Sequence, residues 1–299
     1  MILCCGEALI DMLPEGEGFM PHAGGAVFNT AVALGRLGAP AGFFSGLSND
    51  LFGARLSAAL EASKVDTAFC ARSNRPTTLA FVTLTNGQAS YAFYDENTAG
   101  RLLAPEDLPA LPADVSTLFF GGISLVSEPA ADTYATLMER EAASCVTMLD
   151  PNIRPGFITD PARYRDRIGR MIVMADIIKI SDEDLHWLEG QGDPVALAKR
   201  LLAKGPKLVL LTEGARGARA LTATQERFVA APKVTVADTV GAGDTFNAGV
   251  LAALEQAGAL VKGADWSDDL LDTALGLGTR AAAVTVSRAG ANPPWASEL

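Results

Sequence analysis

The feature that most constrains the fold is a regular alternation of short apolar runs with longer amphipathic segments along 299 residues. Strands are expected at Ile2–Cys5, Ala41–Ser45, Thr117–Gly121, Val146–Asp150, Ile177–Ile180 and Leu208–Thr212. Helices are expected at 26–37, 51–63, 129–143, 161–174 and 194–204. Strand and helix in alternation require crossover connections, which make the sheet mainly parallel and cover both of its faces. The chain is therefore read as α/β. Ligands of such sheets sit beyond the carboxyl ends of the strands, so motifs that follow strands carry the most weight.

One segment breaks the alternation. "TTLAFVTLTNGQASYAFYDENTAG", residues 77–100, reads as two strands around Asn86-Gly87, a dipeptide suited to the tight hairpin turn. Tyr91, Phe93 and Asp95 would share one face, Ala92 and Tyr94 the other. Aromatic side chains on both faces must be covered by the main domain, a ligand or another subunit. We read a small β lid inserted in a single domain spanning 1–299, built from about 77–100 and completed near 9–20. An edge hairpin of the main sheet would show the same pattern. A lid with an apolar outer face also invites a homodimer through that face.

With 49% hydrophobic residues the chain can bury a large core, and its net charge of −11 argues against broad binding to nucleic acid or anionic membrane. A nucleotide stays open, because backbone N–H groups and a few cations suffice to hold it. Cys4, Cys5, Cys70 and Cys145 show neither metal spacing nor a paired framework, and read as reduced, buried thiols. His22 and His186 are too few for a metal cluster. "MILCCGEALIDML" lacks a basic leader and is interrupted by Glu7 and Asp11, so a cytoplasmic soluble protein is expected.

The chemistry concentrates in two stretches. In "VTVADTVGAGDTFNAGVLAALEQAG", residues 234–258, an alternating run reads as a strand leading through Gly241-Ala242-Gly243 and Asp244 into a helix. Such a start presents unpaired N–H groups and the positive end of the helix dipole, which together suit an anion. It fits neither a P-loop nor the dinucleotide fingerprint, whose third glycine position is Phe246. Asp244 is either a helix cap or a base toward a hydroxyl, with the N–H groups holding the group transferred. The dipole would favour its ionised form. In "AGGAVFNTAVALGRLG", residues 23–38, Gly24-Gly25 permits close backbone approach, and Asn29 lies one turn in. Together with Asp11, these groups suit a polyhydroxylated, uncharged ligand such as a sugar; singly, each is an ordinary turn or surface residue.

At these residues the sequence resembles the ribokinase-like, or pfkB, carbohydrate kinases. "DTVGAGDTF" (238–246) is similar to that family's C-terminal signature, and "GGAVFNTAVALGRLG" (24–38) to its N-terminal one. The likeness extends through "DPNIRPG" (150–156), "KISDEDL" (179–185) and "LTEGARG" (211–217). "GEALIDM" (6–12) and "YAFYDENTAGRLL" (91–103) look most like the bacterial fructokinase branch.

The resemblance implies a three-layer αβα core with a β lid, and an ATP-dependent phosphorylation of the primary hydroxyl of fructose. By position it makes Asp244 the catalytic base and Gly241, Ala242 and Gly243 the anion hole for the γ-phosphoryl group. Asp11, Gly24, Gly25 and Asn29 match sugar-binding positions, Phe93 a lid contact, and Arg154 a cation near phosphate or substrate. Thr212, Gly214, Gly217 and Asn292 fall in nucleotide-binding segments. The family's Asn-x-x-Glu is replaced here by Ser181-Asp182-Glu183-Asp184, leaving Asp184 for water-mediated Mg2+. Asp238 lies where a monovalent cation such as K+ is implied. The rivals within the family are a 2-keto-3-deoxygluconate kinase and another ketose or nucleoside kinase; the first is the nearest. Its acid substrate calls for a cation in the lid; residues 77–100 hold none, and Arg101 lies just outside. A catalytically silent sugar- or nucleotide-binding regulator is the alternative of another class.

Overall fold

A computed structural model describes residues 1–85 and 88–299, with side chains for 1–83 and 92–299. The chain begins with β1 (Ile2–Cys5), β2 (Leu9–Glu15), β3 (Gly18–Gly24) and α1 (Ala26–Arg36). There follow β4 (Ala41–Phe44), β5 (Gly46–Ser48), α2 (Leu51–Ala62), β6 (Val65–Asp66), β7 (Ala71–Ser73), β8 (Leu79–Thr85) and β9 (Gln88–Tyr94). Next come β10 (Thr117–Gly121), α3 (Ala130–Glu141), β11 (Val146–Asp150), α4 (Pro161–Met174), β12 (Ile177–Ser181), α5 (Asp182–Glu189) and α6 (Pro194–Leu202). The last elements are β13 (Leu208–Thr212), β14 (Gly217–Leu221), β15 (Glu226–Ala230), α7 (Ala242–Gln256) and α8 (Asp268–Val286).

Among the described residues, nine strands form one sheet in the order β15-β14-β13-β12-β11-β10-β1-β4-β6. It is parallel from β13 to β6, with β14 and β15 folded back antiparallel at one edge. Every residue of β1, β4, β10 and β11 is buried, which is why these strands read as continuous apolar runs. Successive side chains enter opposite layers. Leu118 and Phe120 pack with α3, α4, α5 and α6, while Phe119 packs with α1, α2, α7 and α8. Each such large side chain, fully buried, contributes about 1.5–3 kcal/mol.

The hairpin strands β8 and β9 do not edge this sheet. They join β2 and β3 in a separate four-stranded sheet, order β3-β2-β8-β9, with β2 and β8 parallel. The expected Asn86-Gly87 turn and the Tyr91 side chain lie outside the described residues. On one face of the lid, Phe81 packs edge-on between Phe19 and Tyr94, at 5.0 and 5.3 Å. Tyr94 stays 63% exposed there, so the core does not cover that face.

One expected strand is absent. Residues 234–240 are irregular, with Val234, Val236 and Val240 exposed. Ala237 and Asp238 both donate their N–H groups to the carbonyl of Val286, at the end of α8. The alternating valines pair with no strand among the described residues and instead line the cleft.

Candidate active site

The cleft opens at the carboxyl ends of the strands, under the lid, with a volume of about 1020 Å³. It is where a doubly covered parallel sheet leaves its strand ends and helix starts free. Of the residues singled out in the sequence, Asp11, Gly25, Asn29, Phe93, Arg154, Asp184, Thr212, Gly214 and Gly217 all line it, as do Gly241, Ala242, Gly243 and Asp244. Gly24, Asp238 and Asn292 do not.

Two helix starts meet here. The Asn29 amide, one turn into α1, donates to Oδ2 of Asp244 at 2.9 Å. Thr30 donates to the Asp244 carbonyl at 3.3 Å, and Thr285 to Thr245 at 3.0 Å, locking α1, α7 and α8 together at this point. Gly241 caps α7 with φ of 77°, a left-handed conformation, and a Cβ on it would lie 2.8 Å from that of Ala291. The N–H groups of Gly243 and Asp244 have no acceptor among the described residues outside the helix. They form the open positive end of a helix that is 15 residues long.

The expectation that the dipole keeps Asp244 readily ionised is corrected by burial. Desolvation pushes its carboxyl up to about 7, offset in part by the Asn29 hydrogen bond, with Asp150 pushing up and Lys179 pulling down. Burying the charged form outweighs a helix end whose effect is about 1 kcal/mol. A base titrating near the working pH is the more useful one. Asp11, on β2, is likewise pushed up to about 6 by burial. Its Oδ2 lies only 2.3 Å from where a Cβ on Gly24 would sit. Gly24 thus makes room for the Asp11 carboxylate.

Beneath the anion site runs a buried polar line that the motifs did not single out. Lys179 Nζ donates to Asp150 at 3.0 Å, and the Asn247 amide donates to the same oxygen at 2.7 Å. Lys179 Nζ is 3.1 Å from the position a Cβ on Gly243 would take, so the ammonium lies against the helix start. Its signal was present: a lysine inside the apolar strand "IIKIS" has to have a buried partner. Asp184 is also buried, its carboxyl raised by burial and by Asp150.

On the nucleotide side, Thr212 ends β13, and Gly214 and Gly217 turn the chain with φ of 56° and 132°. Asp238 spends its carboxylate on the N–H groups of Val240 and Gly290, both at 3.0 Å. Asn292 is turned outward, its oxygen accepting from Arg36 at 2.8 Å. Arg154 donates to its neighbour's carbonyl at 3.0 Å and leaves its head exposed in the cleft. From the lid, the Phe93 ring meets Phe157 of the loop after β11 at 4.5 Å, closing the sugar end. At the lid base Asp95 pairs with Arg101 at 2.8 Å.

Known proteins share this architecture. The chain is 56% identical over 267 residues to a fructokinase of Rhizobium leguminosarum bv. trifolii, covering 88% of this chain and 82% of that one. It superposes on the fructokinase of Xylella fastidiosa with bound ATP at a TM-score of 0.88 and 31% identity, covering 97% and 93% of the two chains. A Vibrio cholerae fructokinase double mutant, holding fructose, ADP and a potassium ion, matches at 0.86 and 25%, with the same coverage. Residues 2–298 match the model of the pfkB family carbohydrate kinases. That match runs end to end, and the chain belongs to the pfkB family of carbohydrate kinases.

Proposed function

We propose that the chain is an ATP-dependent fructokinase, transferring the γ-phosphoryl group of ATP to the primary hydroxyl of fructose to give fructose 6-phosphate. The observation that carries this reading is the Asn29–Asp244 hydrogen bond, which joins the small-residue start of α1 to the open start of α7. Fructose lies over Gly25 and Asn29, with Asp11 accepting from its hydroxyls. Asp244 takes the proton of the attacking hydroxyl as the in-line transfer proceeds, while the N–H groups at Gly243 and Asp244 hold the phosphoryl oxygens. Lys179 adds positive charge beside them. Lid closure through Phe93 and Phe157 excludes water, which would otherwise accept the phosphoryl group.

Among the described residues no group of three or more metal-ligating side chains stands together. Such a sparse donor set fits Mg2+ arriving with the nucleotide, which keeps most of its waters and takes one or two carboxylates; Asp184 is placed to hold one of those waters. When bound, Mg2+ neutralises charge on the phosphates. The loop held by Asp238 is the candidate for K+, by analogy with the potassium-bound relative. The exposed Phe19 and Tyr94 on the outer lid supply the surface for a lid-mediated homodimer. No helix among the described residues is long and apolar enough to cross a membrane, and we read the enzyme as cytoplasmic.

Arg101 is paired with Asp95, so an acid substrate would have to turn to Arg154, whose head is exposed in the cleft. ADP release measured over a panel of sugars tests the reading, alongside Asp244→Ala. Turnover of fructose with a loss of about 10²–10⁴-fold in the variant is expected. Turnover of no sugar overturns the reading; turnover of 2-keto-3-deoxygluconate without fructose overturns the substrate.

A further inference from the structure

The two helix starts that face each other across the cleft are not equivalent, and Glu7 makes the difference. α1 is capped by Gly25, which offers no side chain, and has no acidic residue in its first turn. The missing cap comes from the turn after β1. Glu7 Oε1 accepts from the Ala26 N–H at 2.8 Å, and the Glu7 carbonyl accepts from the Phe28 N–H at 3.3 Å. The other carboxylate oxygen accepts from the Ser124 N–H at 3.2 Å, in the helical turn Gly122–Leu125 after β10. One carboxylate therefore caps two helical starts from a third element.

The surrounding backbone is shaped to admit it. Gly122 has φ of 69°, and a Cβ there would lie 2.3 Å from Glu7 Oε1. Gly25 has φ of 113°, and its Cβ would lie 2.8 Å from the Glu7 carbonyl oxygen and 3.1 Å from its Cγ. Both glycines sit in a conformation that other residues adopt with strain. Desolvation pushes the Glu7 carboxyl up, and its hydrogen bonds to Ser124 and Ala26 draw it back down. Its charge reaches the reaction centre, since Glu7 is among the groups that push Asp244 up.

Glu7 lines the main cleft and also a small cavity of about 40 Å³ behind it, between lid and core. Asp11 and Asp244 line the main cleft with Arg154 and Lys179, and Asp95, paired with Arg101, lines the small cavity. α7 leaves its positive end open to a phosphoryl group; α1 already holds an anion of its own. An incoming carboxylate or phosphate at the α1 end finds the Ala26 and Phe28 N–H groups taken and a carboxylate in place.

We propose that Glu7 is a positioning and specificity-determining residue: it caps α1 from within, holding Asn29 toward Asp244, and its charge excludes anionic acceptors from the sugar end. This rests on the sugar-kinase reading above, so wild-type turnover of fructose is measured first. Its absence overturns that reading and this inference with it; where fructose is turned over, the variants bear on Glu7 alone.

Glu7→Gln keeps the shape but not the charge, and an amide has one oxygen to accept where the carboxylate had two. Steady-state kinetics with fructose, ATP and 2-keto-3-deoxygluconate read both parts of the proposal. We expect KM for fructose to rise about tenfold while KM for ATP stays within twofold. The ratio of kcat/KM for fructose to that for the acid should fall about tenfold or more. A ratio unchanged from wild type, or KM values for fructose and ATP that rise together, overturns the proposal. Glu7→Asp retracts the carboxylate but keeps its charge, and serves if Glu7→Gln does not fold. It should raise KM for fructose and retain selectivity against the acid; loss of that selectivity in this variant overturns the proposal equally.

Discussion

Asn29 and Asp244 lie 215 residues apart in the chain and share a 2.9 Å hydrogen bond at the junction of α1 and α7. The amide donates, so it supports the charged form of the carboxylate, while burial opposes that form more strongly. The balance raises the Asp244 carboxyl to about 7, which suits the base role proposed for it.

The first consequence is a pH profile. Protonated Asp244 accepts nothing, so kcat/KM for fructose should fall tenfold per unit as pH drops below about 7. Below about 6 Asp11 also takes up a proton and loses the charge that strengthens its hydrogen bonds from sugar hydroxyls, so the slope should steepen toward two. Initial rates between pH 5 and 8.5 check this. A single slope of one down to pH 5 would remove Asp11 from sugar binding.

The same group sets a stability trend of opposite sense. Its pKa is raised from 3.8 to about 7, so its ionisation in the fold is a cost, absent below 3.8 and complete above 7. At about 1.4 kcal/mol per unit, that cost is on the order of 4–5 kcal/mol. Asp244→Asn removes the charge and keeps an acceptor for Asn29. The variant should be inactive yet more thermostable than wild type at pH 8, with the advantage shrinking by pH 5. Thermal unfolding of the ligand-free proteins at the two pH values tests it.

Gly24→Ala should act on the sugar and not on the nucleotide. The added Cβ would lie 2.3 Å from Asp11 Oδ2, and β2 and β3 pair directly here, so the carboxylate must move. KM for fructose is expected to rise about tenfold, a loss of roughly 1.4 kcal/mol of binding, with KM for ATP unchanged.

Phe157→Ala should loosen the lid. The ring meets Phe93 edge-on at 4.5 Å, a contact of about 0.5–1.5 kcal/mol beyond its area. A lid that closes less often admits water, so ADP released per fructose 6-phosphate formed should rise above one. A ratio that stays at one, with kcat unchanged, would mean that Phe157 has no part in closure.

The order of elements, the doubly covered sheet and both glycine-rich helix starts were legible in the residues, because periodicity and turn chemistry are local properties. Continuous apolar runs such as "TLFFG", short and set between turn signals, fit strands buried on both faces, and the structure buries all of Thr117–Gly121. The lysine in "IIKIS" was also visible, but its partners Asp150 and Asn247 were not, since they come from β11 and α7. The alternating valines at 234 and 236 misled for the same reason: a strand needs a neighbour, and only the packed sheet decides where an edge is free.

Sequence alone determined which residue types this protein brings to its chemistry: a carboxylate at a glycine-rich helix start, and an amide and a carboxylate near another. Tertiary structure decided how those groups behave. Burial, which no local pattern contains, moved Asp244 to about 7 and Asp11 to about 6. Packing against Asp95 neutralised Arg101, and packing around Gly25 and Gly122 brought Glu7 onto the start of α1. A carboxylate's charge depends on its solvent and neighbours, and both are supplied by chain that is distant in sequence.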